Sequence, residues 1–235
     1  MSKDIHIKKG LDIKLKGEAV KLTENAITSD VYTLIPEDFH SIIPKLSVKI
    51  GAQLKAGEAV FYNKANEEMK FPSPVSGEVC NIVRVEKRKI LAIKIKADSQ
   101  QQFIDFGVKD PKAMKADEIK SHLLASGCWP FIKQRPYDVI ANTANTPKAI
   151  FVSAYASAPL AADYDYVLAG KEKELQAAIT ALSKLTSGDV HVSIGKSANS
   201  PFAGLNNMIL HKVSGPHPSG NVGTQINKIN PVNKG

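Results

Sequence analysis

Few side chains in this sequence are suited to chemistry, and most have a plainer reading beside the reactive one. Cys80 and Cys128 are the only cysteines. Neither belongs to a CxxC pair, so their spacing offers no zinc or iron–sulfur ligand set. They read as reduced thiols, and as two small buried hydrophobes rather than nucleophiles. Asp163 and Asp165 have the look of a carboxylate pair. Following a short apolar strand, they read instead as residues that cap or solvate a loop. His211 falls on an expected strand, Met208 to Val213, as a packed or surface histidine rather than a ligand. The stretch GPHPSGNVG (215–223) is rich in glycine. Such loops bind phosphate where they join a strand to a helix N-terminus. Here a strand precedes the loop but extended chain is expected after it, so the phosphate reading fails. Gly215, Pro216, His217, Pro218 and Gly220 are left as a turn, with a contact surface as the sharper alternative. His217 lies between two prolines, which predicts extended backbone and a well-fixed ring.

These residues must be placed by two differently patterned halves. Residues 1–98 read as β. Ile5 and Ile7 alternate with polar residues, as do Leu11, Ile13 and Leu15, and again Leu91, Ile93 and Ile95. Turns fall at Gly51, Gly57, Pro72-Ser73-Pro74 and Gly77. After Asp98 the pattern changes. A helix is predicted from Pro111 to Ala125, with Gly127 just past its end. Ala149–Ser153 reads as a buried strand. Gly170–Leu185 reads as a helix stopped by Gly188, and Val190, Val192 and Ile194 as the next strand. Strand, helix, strand at this spacing predicts a βαβ unit and a parallel sheet. The last forty or so residues read as asparagine- and glycine-rich loops beyond one strand. The expected domains are 1–98, a β domain, and 99–235, an α/β domain truncated at its C-terminal end.

Composition excludes some functions. With 43% hydrophobic and 23% charged residues the chain can bury its own core. The stretch 149–162 is too short and too interrupted to cross a bilayer. The net charge is +8, but only Arg84, Arg88 and Arg135 are arginines. The lysines are spread along the chain with no RNP-type aromatic motif, which argues against nucleic acid. A solvated surface is the first reading of the charge and a face near anionic lipid the second.

The runs LSVKIGAQLKAGEAVF (46–61) and FPSPVSGEVCNIV (71–83) resemble the two halves of a lipoyl- or biotinyl-type barrel-sandwich hybrid. Such domains carry a cofactor on a lysine at a hairpin tip. EEMK (67–70) is close to the biotin motif in composition, but Lys70 is followed at once by Pro72 and Pro74 and should lie in the returning strand. Lys64 is nearer the tip and lacks flanking methionines. This half therefore reads as a scaffold with the carrier fold and without its chemistry.

Four ordered blocks, GLDIKLKGEA (10–19), FPSPVSGEV (71–79), ANTPKAIFVSAYASAPLAADYD (144–165) and SGPHPSGNVGTQINKINPV (214–232), resemble NqrA, the A subunit of the sodium-translocating NADH:quinone reductase. The resemblance runs over nearly the whole chain, and the family chain continues well beyond residue 235. More distantly it extends to the C subunit of the Rnf complex and to the flavin-binding subunit of complex I. It implies a barrel-sandwich hybrid followed by a Rossmann-like α/β domain related to that flavin subunit. Those relatives bind flavin or NADH on a glycine-rich loop. The corresponding stretch, SGCWPFIKQRPYD (126–138), keeps only Gly127 and sets Trp129 and Pro130 where small residues would be needed. The position of the relatives' acidic residues is held by AYASAPLAAD (154–163).

The implied role is a non-flavin subunit of the complex, with no catalytic residue, cofactor or metal ligand of its own in this chain. FMN, riboflavin, FAD and iron–sulfur centres are expected in other subunits. The implied partners are those subunits, above all the B subunit in the membrane, together with a quinone (ubiquinone or menaquinone). Gly215, Pro216, His217, Pro218 and Gly220 form the candidate partner- or quinone-facing loop. The implied location is the cytoplasmic side of the bacterial inner membrane. The alternatives are a carrier-like scaffold module without a redox role and an Rnf-type electron-transport subunit.

Overall fold

The computed structural model describes every residue except 18, 87, 88, 197, 198, 234 and 235. Its residues cluster into two compact units that alternate along the chain: 1–24, 110–116 and 144–235 form one, 25–109 and 117–143 the other. The reading from sequence places a single division at residue 98. The first strand shows why the N-terminal residues fall with the α/β unit. β1 (Asp4–His6) pairs in parallel with β13 (Ile209–Ser214), Asp4 opposite Lys212. Alternation at Ile5 and Ile7 shows that a strand forms, but not which sheet it joins.

The β unit holds β2 (Val31–Leu34), β3 (Pro44–Leu46), β4 (Gln53–Leu54), β5 (Ala59–Asn63), β6 (Asn66–Pro72), β7 (Gly77–Arg84) and β8 (Ile90–Ala97). They form antiparallel sheets in the orders β2-β8-β7-β4 and β3-β5-β6. Val60, Phe61, Phe71, Val79, Ile93 and Ile95 are buried between them. Phe61 and Phe71 stack at 4.5 Å, and Phe39 meets Phe71 edge-on at the same distance. Leu91, expected inward with Ile93 and Ile95, is 37% exposed. The ladder with β7 is irregular there: Arg84 pairs with Ile90 and Val83 with Ala92, which leaves Leu91 outside the inward set. The β5–β6 hairpin turns at Lys64-Ala65, and Lys70 sits in the returning strand opposite Tyr62.

α1 (Ala116–Ala125) starts five residues later than Pro111, which lies in a preceding turn. Its end follows the expected signal. Gly127 has φ +71°; Gly127 N–H donates to Leu124 O and Cys128 N–H to Leu123 O. This is the paired bonding of a left-handed C-terminal cap. Trp129 then buries itself, at 4% exposure, and its Nε1–H donates to Ala141 O at 2.8 Å. The short hairpin of β9 (Lys133–Gln134) and β10 (Val139–Ile140) follows.

The α/β unit is a four-stranded parallel sheet, order β1-β13-β12-β11, with β11 at Ile150–Ala154 and β12 at Val190–Ile194. α2 (Tyr164–Val167) and α3 (Glu172–Ser183) lie in the crossover from β11 to β12, as the βαβ reading expects. Val190, Val192 and Ile194 pack with Ile179, Leu175 and Leu182 of α3. A separate cluster gathers Ile5, Ile7, Val213, Phe151 and Tyr155 with Ile229 of α4 (Val222–Ile229). All five residues of β12 are buried, as in a parallel strand covered on both faces. The helix α4 corrects the expectation of loop after residue 215.

Candidate functional site

The carboxyl ends of parallel strands are where α/β sheets present their loops. Here three separate stretches meet at that edge: the segment after β1, the loop after β11, and the loop 215–221 between β13 and α4. Their contacts are close. Leu11 N–H donates to His217 O at 2.9 Å. His217 N–H donates to Asp12 Oδ1 at 2.9 Å. Gly220 N–H donates to Ser157 Oγ at 2.7 Å, and Ser153 Oγ–H to Gly220 O at 3.1 Å. Within the loop, Ser219 Oγ–H donates to Gly215 O and Gln225 Nε2–H to Ser219 O. Ser219 and Gln225 are at most 1% exposed.

The glycines serve these backbone approaches. A Cβ on Gly220 would lie 2.3 Å from Ser157 N, one on Gly215 2.1 Å from Ile7 O, and one on Gly10 2.1 Å from His217 O. The space a phosphate would take beside them is occupied by neighbouring main chain. The failure of the phosphate reading therefore has a different cause from the expected one. A helix does follow the loop, but the loop is filled.

His217 supplies an imidazole to the corner. Its Nδ1 lies 3.1 Å from Ser157 Oγ. That oxygen also accepts the Gly220 N–H. A hydroxyl has one donor and two acceptor sites, so either tautomer of the neutral ring satisfies the contact. Asp12, Ser157, Ser153 and Tyr155 complete the corner, and sequence reasoning does not single them out. Gly10, Asp12 and Ser157 all lie within the blocks that carry the resemblance, but nothing in their spacing marks them as neighbours.

The histidine pair lies deeper. His211 is fully buried and His191 is 8% exposed. Lys3 N–H donates to His211 Nδ1 at 3.1 Å, so His211 carries its proton on Nε2 and gives it to His191 Nδ1 at 2.9 Å. Phe151 stacks on His191 at 4.9 Å. Burial, then the neighbouring His191, pushes His211 down to about 4, and burial also lowers His191. The pair is a neutral, packed hydrogen-bonded unit, in line with the packed reading of His211. Among the described residues no group of three or more His, Cys, Asp or Glu side chains is placed to hold a metal.

Other sequence candidates fall elsewhere. Asp163 is the N-cap of α2, accepting from Asp165 N–H and Tyr166 N–H, and it pairs with Lys21. Asp165 lies in the first turn, so the two act as cap and turn residues. Both cysteines are exposed, which corrects the buried reading. In β7, Gly77 and Val79 face inward, so Cys80 shares the outward face with Glu78. Cys128 precedes Trp129, which takes the core position. Gly127, Trp129 and Pro130 follow the end of α1, and no strand leads into them. Their geometry is that of a helix cap and a packed turn.

Two family models match the chain in order: the NqrA N-terminal barrel-sandwich hybrid domain over residues 5–98, and the NqrA second alpha/beta domain over 114–235. The A subunit of the Na(+)-translocating NADH-quinone reductase of Yersinia pseudotuberculosis serotype O:1b (strain IP 31758) is 32% identical over 232 residues, covering 98% of this chain and 52% of that protein. Its counterpart in Histophilus somni (strain 129Pt) is 32% identical over 230 residues, 97% of this chain and 52% of its own length. That of Marinomonas sp. (strain MWYL1) is 31% identical over 229 residues, with 97% and 51% covered. The chain spans about half the length of the curated relatives it matches.

Proposed function

The chain belongs to the NqrA family, the A subunits of the sodium-translocating NADH-quinone reductases, and from that membership we propose that it is a non-flavin subunit of the membrane-bound complex. On this reading electrons pass from NADH to quinone through other subunits, while this chain contributes to assembly beside the B subunit in the membrane. The observation that carries the reading is the match of both domains, in order, across nearly the whole chain. Three of the four blocks that bear the resemblance also meet in one corner, around His217, Asp12 and Ser157. Among the described residues no helix is long and apolar enough to cross a membrane. On this reading the chain lies at the cytoplasmic face, held there by partner subunits.

The test is co-purification. Tagged chain expressed in its own cells and recovered from gently solubilised membranes should bring the other subunits with it, the membrane-embedded B subunit included, identified by mass spectrometry. Recovery of the chain alone, with NADH:quinone reductase activity left behind in an intact complex, would refute the reading.

A quinone contact is the finer form of the proposal. The loop Gly215, Pro216, His217, Pro218 and Gly220 would face the ligand. The His217 ring, held at Nδ1 by Ser157, can present an Nε2–H to a quinone carbonyl oxygen. His217→Phe removes that donor. It should raise the KM for quinone in the assembled complex while leaving NADH oxidation by an artificial acceptor unchanged. An unaltered quinone KM would count against the contact.

A further inference from the structure

The hydrogen bonds through the histidine pair run across the α/β sheet. They start at the Lys3 amide, just ahead of β1, pass through His211 of β13 and end on His191 of β12. A backbone N–H can only donate, so the direction of the chain is fixed. His211 accepts at Nδ1, keeps its own proton on Nε2 and donates it to His191 Nδ1. Each gap, 3.1 Å and 2.9 Å wide, then holds one proton. A further proton on either ring must go to Nδ1, the site left without one. His211 can also move its proton from Nε2 to Nδ1, so the conflict can settle in either gap. Wherever it settles, two donors face each other and that bond is lost. The two gaps are not equally well held. His191 and His211 stand on paired inner strands, with Phe151 stacked on His191. β1 is three residues long and has a single neighbour, β13. Lys3 links that edge to α4 as well. Its Nζ donates to Lys228 O at 3.2 Å and to Ile229 O at 2.8 Å, at the end of the helix.

We propose that Lys3, His211 and His191 form a proton-sensitive latch: a proton taken up by the histidine pair releases β1 from the sheet edge and frees the end of α4, while β11, β12 and β13 stay paired. The surrounding charges set its sense. From the β1 side, Lys3 and the terminal amine oppose a charge on either ring. Ahead of β12, Asp189 favours a charge on His191. β11 brings the apolar Phe151, and α4 meets β1 through the two carbonyls that Lys3 holds. Burial outweighs Asp189, so both rings are neutral when the latch is closed. Release of β1 removes the Lys3 amide and admits water to His211, and the open form therefore binds the proton more tightly. Closure is complete above pH 6.5 and is lost as pH falls. Opening would uncover Val213 and Ile229, which pack with Ile5 and Ile7.

Hydrogen exchange on the purified chain between pH 7 and pH 5, corrected for intrinsic rates, tests this. Two amides report on β1: Ile7, which donates to Ser214 O, and Lys212, which donates to Lys3 O. Their protection should fall about twentyfold, the factor expected for a ring at about 4 when closed and 6.5 when solvated. The Asn230 amide, bonded to Ile226 O at the end of α4, should follow them. At pH 5 all three should be less protected than β12. They should also be nearly insensitive to low urea, because release of a short strand exposes little surface. His211→Gln keeps a donor and an acceptor but binds no proton, so β1 protection should lose its pH dependence. Lys3→Ala keeps the amide and removes the ammonium. Ile7 and Lys212 should then still respond to pH, and Asn230 should not. If His211→Gln does not fold, NMR titration of the wild-type rings decides, since they should charge over the pH interval in which β1 opens. Constant protection at Ile7 and Lys212 would overturn the proposal. So would loss with the steep urea dependence of β12, opening while both rings stay neutral, or pH dependence that persists in His211→Gln.

Discussion

His211 sits inside the α/β unit with no exposed surface, accepting a hydrogen bond from the Lys3 amide and donating one to His191. A solvated histidine titrates near 6.5, and this one is pushed down to about 4 by burial and then by its neighbour. Between those values the unfolded chain binds the proton and the folded chain does not. Folding stability must therefore fall as pH falls through that window and level off above it. The full difference corresponds to about 3 kcal/mol, and His191, also lowered, adds in the same direction. Urea unfolding at pH 7 and at pH 4.5 should show the loss, and His211→Gln should flatten the dependence. An identical slope in the variant would show that carboxylates alone set the acid behaviour. At Gly220 the constraint is steric. An added Cβ would lie 2.3 Å from Ser157 N, and both partners are backbone. Gly220→Ala should cost about 2–3 kcal/mol, read as a lowered melting temperature. A near-neutral result would mean the two loops separate easily.

At the scale of elements, the loop between β13 and α4 should behave as part of the fold. Amides of Ser219, Gly220 and Asn221 all have acceptors, and Ser219 is fully buried. They should exchange slowly in the isolated chain, as slowly as the neighbouring strand. Fast exchange there, with slowing only in the complex, would return the loop to the status of an unsupported contact surface. Much of the framework is legible in the sequence. The βαβ unit follows from apolar spacing, the end of α1 from Gly127, and the placing of Lys70 within a strand from Pro72. What escapes does so for physical reasons. α4 reads V-G-T-Q-I-N-K-I, where glycine, asparagine and β-branched residues all score poorly as helix formers. Only Val222, Ile226 and Ile229, at helical spacing, signal its buried face. His191 and Ser193 alternate with valine and isoleucine, which looks like a half-exposed strand. Phe151, stacked on His191, packs in turn with Ile229 of α4, a cover the sequence does not announce. The corner itself joins Gly10, Asp12, Ser157 and His217 through long-range contacts, and the spacing of residues along one chain carries no signal of such distances.

For the whole molecule, the packing of Trp129 and the filled glycine loop bear on cofactors. Purified chain should be colourless, and mixed with FMN it should lose the flavin absorbance on dialysis. A near-stoichiometric flavin band that survives would overturn the proposed non-flavin role. The interleaving of the two units has a separate consequence, which concerns time. β1 and the strand it pairs with are 208 residues apart, and the whole of the β unit lies between them. During synthesis at about 5–20 residues per second, β1 leaves the ribosome roughly 10–40 seconds before β13 exists. The β unit, whose strands are joined by short connections, can close in that interval. The α/β sheet cannot, because its edge strand has no neighbour until the chain has nearly reached α4. The first segment made is thus among the last to find its place, and over that interval Ile5 and Ile7 are open to any chaperone that binds exposed apolar chain.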